Sequence, residues 1–168
     1  MPQQRYYAWR SILLSVVFTA CLGPGADLSP GDVAPGAMRS GGRLTVALVA
    51  RVGDCLSCDL RGIFTAVRAL QRSDLGTHMP ELVVVAVTQE SRDTLAFRRT
   101  LKIERVMGRI ERVSLRTAKG FLDENKLPAM YLIEDEQVLR EWERTPERGT
   151  VMIGRNELLD AVAQFAGW

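Results

Sequence analysis

Residues 44–72, LTVALVARVGDCLSCDLRGIFTAVRALQR, carry the pattern that decides the fold. The run LTVALVA (44–50) is apolar, partly β-branched and preceded by a pair of glycines, which suits a strand buried on both faces. Between residues 59 and 72 the period changes: Leu60, Ile63, Phe64, Val67 and Leu70 recur at three- and four-residue spacing, the mark of a helix with one core-facing side. Residues 81–88, ELVVVAVT, follow Pro80 and are again nearly continuous in apolar character, as in a sheet covered on both faces. Strand, helix and strand in that order predict a βαβ unit within an α/β domain. Further along, AMYLI (129–133) and VLREWE (138–143) flank Asp135-Glu136 and predict an antiparallel hairpin. Asn156 stands where it can cap a last helix whose Leu158, Leu159, Val162 and Phe165 share one side.

The unit encloses Cys55-Leu56-Ser57-Cys58, placed by the pattern at the start of the helix. Backbone N–H groups and the helix dipole at such a position stabilise a thiolate on the first cysteine, and the second sits one turn away to close a ring. The pair is suited to disulfide exchange: Cys55 attacks, a mixed disulfide forms, and Cys58 resolves it. Arg51 lowers and Asp54 raises the pKa of the attacking thiol by charge alone. A structural disulfide in a non-enzymatic binding or assembly module is the first alternative. A Cu(I) carrier, using soft sulfur with Met79 or Met107 approaching, is the second. Zinc would need four ligands, and only His78 and unspaced carboxylates accompany the two thiols. Haem attachment requires His after the second cysteine, where Asp59 stands. Exchange chemistry itself calls for no cofactor.

The chain of 168 residues is 46% hydrophobic and 25% charged, near the globular average, which excludes wholesale disorder and a polytopic membrane protein. Arg5 and Arg10 are the only charges in residues 1–20, and SILLSVVFTA (11–20) is apolar or small throughout, the pattern of a secretory signal. Ten helical residues rise about 15 Å, half of a hydrocarbon core of about 30 Å, so cleavage is expected rather than a span. Removing the segment takes the net charge of +2 to zero, which leaves no electrostatic case for nucleic acid. Export places the thiols in an oxidising compartment.

The sequence Phe18-Thr19-Ala20-Cys21 resembles the lipobox of bacterial lipoproteins, which implies that Cys21 becomes the lipidated first residue of the mature chain; an ordinary cleaved signal and a short uncleaved anchor stay open. Lipidation would consume the sulfur of Cys21 and leave Cys55 and Cys58 as the remaining thiols among three cysteines. Residues 22–43, LGPGADLSPGDVAPGAMRSGGR, lack apolar periodicity and read as a linker. The expected organisation is therefore a signal peptide (1–20), a lipidated cysteine with a flexible tether (21–43), and one domain (44–168).

The strand before the motif, the Cys55-Leu56-Ser57-Cys58 motif, the 81–88 strand and Leu127-Pro128-Ala129 before the hairpin, in this order, resemble the thioredoxin superfamily, particularly bacterial membrane-tethered thiol-disulfide oxidoreductases of the TlpA type. The resemblance covers about residues 44 to 167. It implies a thioredoxin-like fold with a central mixed sheet flanked by helices, and a cis proline at Pro128 beside the dithiol, with Leu127 and adjoining backbone meeting extended substrate. It implies protein thiols or disulfides as clients, a separate redox donor, and a membrane location outside the cytoplasm, facing the periplasm or cell exterior. Arg51 and Asp54 stand where the common family pattern has aromatic residues, and Val49 takes the place of a buried carboxylate.

Two features remain. His78 lies between Thr77 and Met79 and reads as a surface residue. Arg98, Lys102, Arg105, Arg109, Arg112, Arg116 and Lys119 alternate at spacings of four and three, which on a helix makes one basic stripe, either a solvated face or a contact for anionic lipid or an acidic partner.

Overall fold

The apolar run after the glycine pair forms the central strand β1 (Leu44–Arg51), with every residue between its two ends buried. The computed structural model describes residues 27–41, 44–51, 60–76, 79–89, 94–144, 151, 153–154 and 156–166. Helix α1 (Arg61–Gln71) follows, and β2 (Glu81–Val87) returns parallel to β1 with Val49 opposite Val85. This is the expected βαβ unit. Beyond β2 come α2 (Thr94–Glu104), β3 (Arg109–Val113), the single turn α3 (Leu115–Ala118), the hairpin β4 (Ala129–Glu134) and β5 (Gln137–Glu143), and α4 (Glu157–Ala166). The sheet order is β3-β2-β1-β4-β5, with β3 parallel to β2 and both hairpin strands antiparallel to their neighbours. β1 and β2 read as continuous apolar runs because both faces of the sheet are covered there, whereas the parallel edge strand β3 alternates charged and apolar residues.

Alternation along β1 divides the core. Val46, Leu48 and Ala50 face a cluster with Ile63, Phe64, Val67 and Leu70 of α1, Phe97 and Leu101 of α2, and Leu158 and Val162 of α4. Each fully buried side chain of this kind contributes about 1.5–3 kcal/mol of gross burial. Ala47 and Val49 face the opposite side, against Leu28, Met38, Leu122, Leu127 and Tyr131. Asp135 and Glu136 at the hairpin turn have φ of 45° and 75°, as a two-residue loop matched to strand twist requires.

Two expectations are corrected. The flexible tether was expected to end at residue 43. Instead Leu28, Ala34 and Met38 are fully buried, Val33 bridges Gln137, and Gly31 N–H donates to the Val138 carbonyl at 2.7 Å. Three isolated apolar residues without helical or strand period suffice here, because they fill a face that the sheet has already built. The packed domain thus reaches back to residue 27, and 27–41 is no free linker.

Nor is the basic stripe one helix face. Helix α2 stops at Glu104: Arg105 takes φ of 53°, its N–H bonds the Lys102 carbonyl, and Val106 N–H bonds Leu101. That pair of bonds, with Val106 and Leu101 in the same core cluster, is a Schellman termination. Arg109 and Arg112 then lie on β3, and Arg116 on α3. No helix among the described residues is long and apolar enough to cross a membrane.

Candidate functional site

The proposed chemistry centres on the C-terminal end of β1. Arg51 is the last residue of that strand and Leu60 immediately precedes α1. Cys55 and Cys58 fall between them, within residues 52–59, outside the described residues, as do Asp54, Cys21 and His78. What the structure supplies is the frame on which that segment starts and ends.

Beside the end of β1 lies the entry to β4. Asp123 caps a short 3-10 turn, Glu124–Lys126, by accepting the Asn125 N–H at 2.9 Å. Leu127 follows, 1% exposed, joined to the buried Pro128 through a cis peptide bond, the geometry that the family resemblance implies there. Ala129 then pairs with Val49 of β1. The hairpin register therefore brings Leu127-Pro128 to the same end of the sheet as Arg51, the last residue of β1. Val49 is fully buried, so an apolar side chain occupies the position where the resemblance implies a carboxylate.

Charge appears nearby, one strand further out. Glu143 of β5 pairs with Ala129, and Glu141 with Tyr131, on the face that also carries Val49. Lys126 Nζ lies 2.8 Å from Asp27 Oδ2 and 2.9 Å from Glu143 Oε2. Asp27 Oδ1 also accepts the backbone N–H of Asp123 at 2.9 Å. Hydrogen bonding to Lys126, above all, holds the Asp27 carboxyl below its ordinary range, and the same contact raises Lys126. Burial, followed by the Glu143 charge, pushes Glu141 up; burial likewise raises Tyr131. Tyr131 Oη, Glu141 Oε2 and Glu143 Oε1 are buried without a hydrogen-bond partner among the described residues. Sequence reasoning missed this group. Asp27 and Asp123 are 96 positions apart, and no spacing rule connects a Gly/Pro-rich stretch to a hairpin.

Met79 and Met107 sit elsewhere. Met79 precedes β2 and Met107 precedes β3; both strands begin at the end of the sheet away from Arg51. Strand β1, eight residues long, separates them from that end by about 23 Å. The geometry withdraws the two methionine donors considered for Cu(I). Among the described residues no group of three or more His, Cys, Asp or Glu is placed to hold a metal.

No family model matches the chain, and no curated protein matches it. Solved structures do. The thioredoxin domain of a thiol-disulfide oxidoreductase from Bacteroides vulgatus superposes with a TM-score of 0.56 over 83% of this chain and 99% of its own, at 10% identity. A thioredoxin-like protein from Parabacteroides distasonis gives 0.52 over 82% and 96%, at 14% identity. A secreted thiol-disulfide isomerase from Corynebacterium glutamicum gives 0.51 over 83% and 85%, at 12% identity. At these identities the likeness establishes the architecture: this is an α/β protein with a thioredoxin-like fold. Its five-stranded mixed sheet and flanking helices are those of the solved relatives.

Proposed function

We propose that the chain is a membrane-anchored, extracytoplasmic thiol-disulfide oxidoreductase that exchanges disulfides with protein clients through Cys55 and Cys58. The observation that carries the reading is the frame: a thioredoxin-like sheet in which β1 ends at Arg51, just before the CxxC of the sequence, and the cis Leu127-Pro128 enters β4 at the same end of the sheet. Two of the solved structures of similar fold are described as a thiol-disulfide oxidoreductase and a secreted thiol-disulfide isomerase. Cys21 takes the lipid, and the extended backbone at Leu127 and Pro128 shapes the groove for the client.

In the reducing direction, the Cys55 thiolate attacks one sulfur of a client disulfide and expels the other client sulfur as a thiolate, which takes up a proton. The Cys58 thiolate then attacks the Cys55 sulfur and releases the second client thiol. Two electrons pass to the client, the Cys55–Cys58 disulfide remains, and a protein dithiol donor must reduce it. Run in reverse, the same steps oxidise a client. Cys58 must lose its thiol proton before it attacks; Val49 supplies no proton acceptor, so solvent or the departing client thiolate takes that proton.

Cys58→Ser in the full chain should accumulate reductant-sensitive mixed disulfides on Cys55, and Cys55→Ser/Cys58→Ser should accumulate none. If Cys58→Ser traps no client while the cell keeps its phenotype, the site is a structural disulfide and the exchange reading is wrong.

A further inference from the structure

We propose that the groove between α2 and the edge strand β3 receives an extended, acidic segment of a partner protein, which adds to the sheet beside β3. The site shares no residue with the exchange reading and goes beyond it. Three observations carry it.

The first is an open strand edge. Strand β3 stands at the end of the order β3-β2-β1-β4-β5. The Val113 carbonyl accepts the Thr88 N–H, so by the alternation of a strand Arg109, Glu111 and Val113 turn their backbone groups toward β2. Ile110 and Arg112 turn theirs outward, where none of the described residues takes them. Each offers one N–H and one C=O to an added strand.

The second is a groove beside that edge. A space of about 500 Å³ between α2 and β3 is lined by Leu101, Val106, Met107 and Ile110. Ile110 packs against the same core cluster as Leu101 and Val106, so every second side chain of a strand added beside β3 falls on the groove side. Met107 is 78% exposed, yet its backbone is fixed. The Gln71 amide donates to the Met107 carbonyl at 2.6 Å and accepts the Met107 N–H at 3.1 Å. A folded turn therefore holds this apolar side chain out to solvent.

The third is charge. Arg98 and Lys102, one helical turn apart, also line the groove, and Arg112 lies on the same sheet face as Ile110. All three are exposed, and none has an ion-pair partner among the described residues. The described acids of α2, β2 and β3 are already engaged: Glu104 binds Arg68, while Glu81 and Glu111 share Arg109. Like charges set opposite one another repel, so this basic edge disfavours pairing with a second copy of itself. It selects a strand whose groove-side residues are acidic, with an apolar one for Leu101, Met107 and Ile110.

The test titrates the full chain carrying Cys55→Ser/Cys58→Ser, which separates binding from exchange, with a blocked heptapeptide of Thr alternating with Glu, Leu and Glu. Binding should slow hydrogen exchange at the Ile110 and Arg112 amides and leave the Glu111 amide, already turned to β2, unchanged. Arg98→Glu/Lys102→Glu, at exposed positions, should weaken binding about ten-fold. The peptide with Lys in place of Glu should prefer that variant to the parent. Methylating every backbone nitrogen of the peptide should abolish binding. Equal affinity for the Glu and Lys peptides, or undiminished binding after methylation, overturns the proposal. So does a parent chain that is already dimeric with Ile110 and Arg112 protected, because a second copy then fills the edge. Binding to phosphatidylglycerol vesicles with none to the peptide assigns the basic groove to lipid and overturns it as well.

Discussion

Lys126 joins two carboxylates that reach it from opposite ends of the chain, Asp27 before the sheet and Glu143 at the end of β5. The consequences are opposite for neighbouring acids. A carboxyl held low in the folded protein, as Lys126 holds Asp27, stabilises the fold above its unfolded value of 3.8 and loses that contribution as pH falls through the lower folded value. Glu141 is raised by burial and by Glu143, so its ionisation costs stability above the folded value, and that cost fades as pH falls toward 4.5. Asp27→Asn should therefore be less stable than the parent at pH 7 by about 1 kcal/mol, with the difference closing below pH 3.8. Glu141→Gln should be more stable at pH 7, with its difference closing by pH 4.5. Urea unfolding across pH 3 to 8 reads both; a Glu141→Gln variant that is weaker at pH 7 contradicts the account. At this scale the cis peptide at Leu127-Pro128 was legible from the order of motifs, while Cys55 and Cys58 stand out in the sequence by spacing and remain the residues on which the proposal rests. The Lys126 group was not, since its members meet only when a distant segment folds across the sheet.

Elements whose period matched their surroundings were legible: the continuous apolar runs of β1 and β2, and the single core face of α1. The segment 27–41 was not, because its Gly and Pro content resembles a linker while its few apolar side chains plug an existing face. Leu28→Ala, at a fully buried position, should cost about 2–5 kcal/mol. Val33→Ala, at a position 53% exposed, should stay within about 0.5 kcal/mol. Equal small effects at both would restore the linker. The end of α2 was hidden for another reason: an arginine fills the left-handed position that glycine usually marks. Gly108, just before β3, has a steric role. A Cβ there would lie 2.8 Å from Leu82 Cδ2 and 3.1 Å from the Leu82 carbonyl oxygen, so β3 approaches β2 only with glycine at this point. Gly108→Ala should destabilise by about 1–3 kcal/mol in thermal or denaturant unfolding. An unchanged midpoint would mean that the two strands part without cost.

For the molecule as a whole, the fold puts different tasks at opposite ends of one sheet. One end leads into the CxxC segment, carries Leu127-Pro128, and receives the chain from its N-terminal side through Asp27. The other end holds the hairpin turn and the two methionines. The fold class was legible from four pieces of sequence in order, whereas this polarity depends on where residue 27 docks. The central claim is that Cys55 and Cys58 form an exchanging pair, and their reduction potential tests it most directly. Equilibrating the full chain against glutathione redox buffers should give a value between about −120 and −270 mV, the span of proteins that trade disulfides. A value below about −300 mV, where structural disulfides lie, or no Cys55–Cys58 disulfide at all, would contradict it.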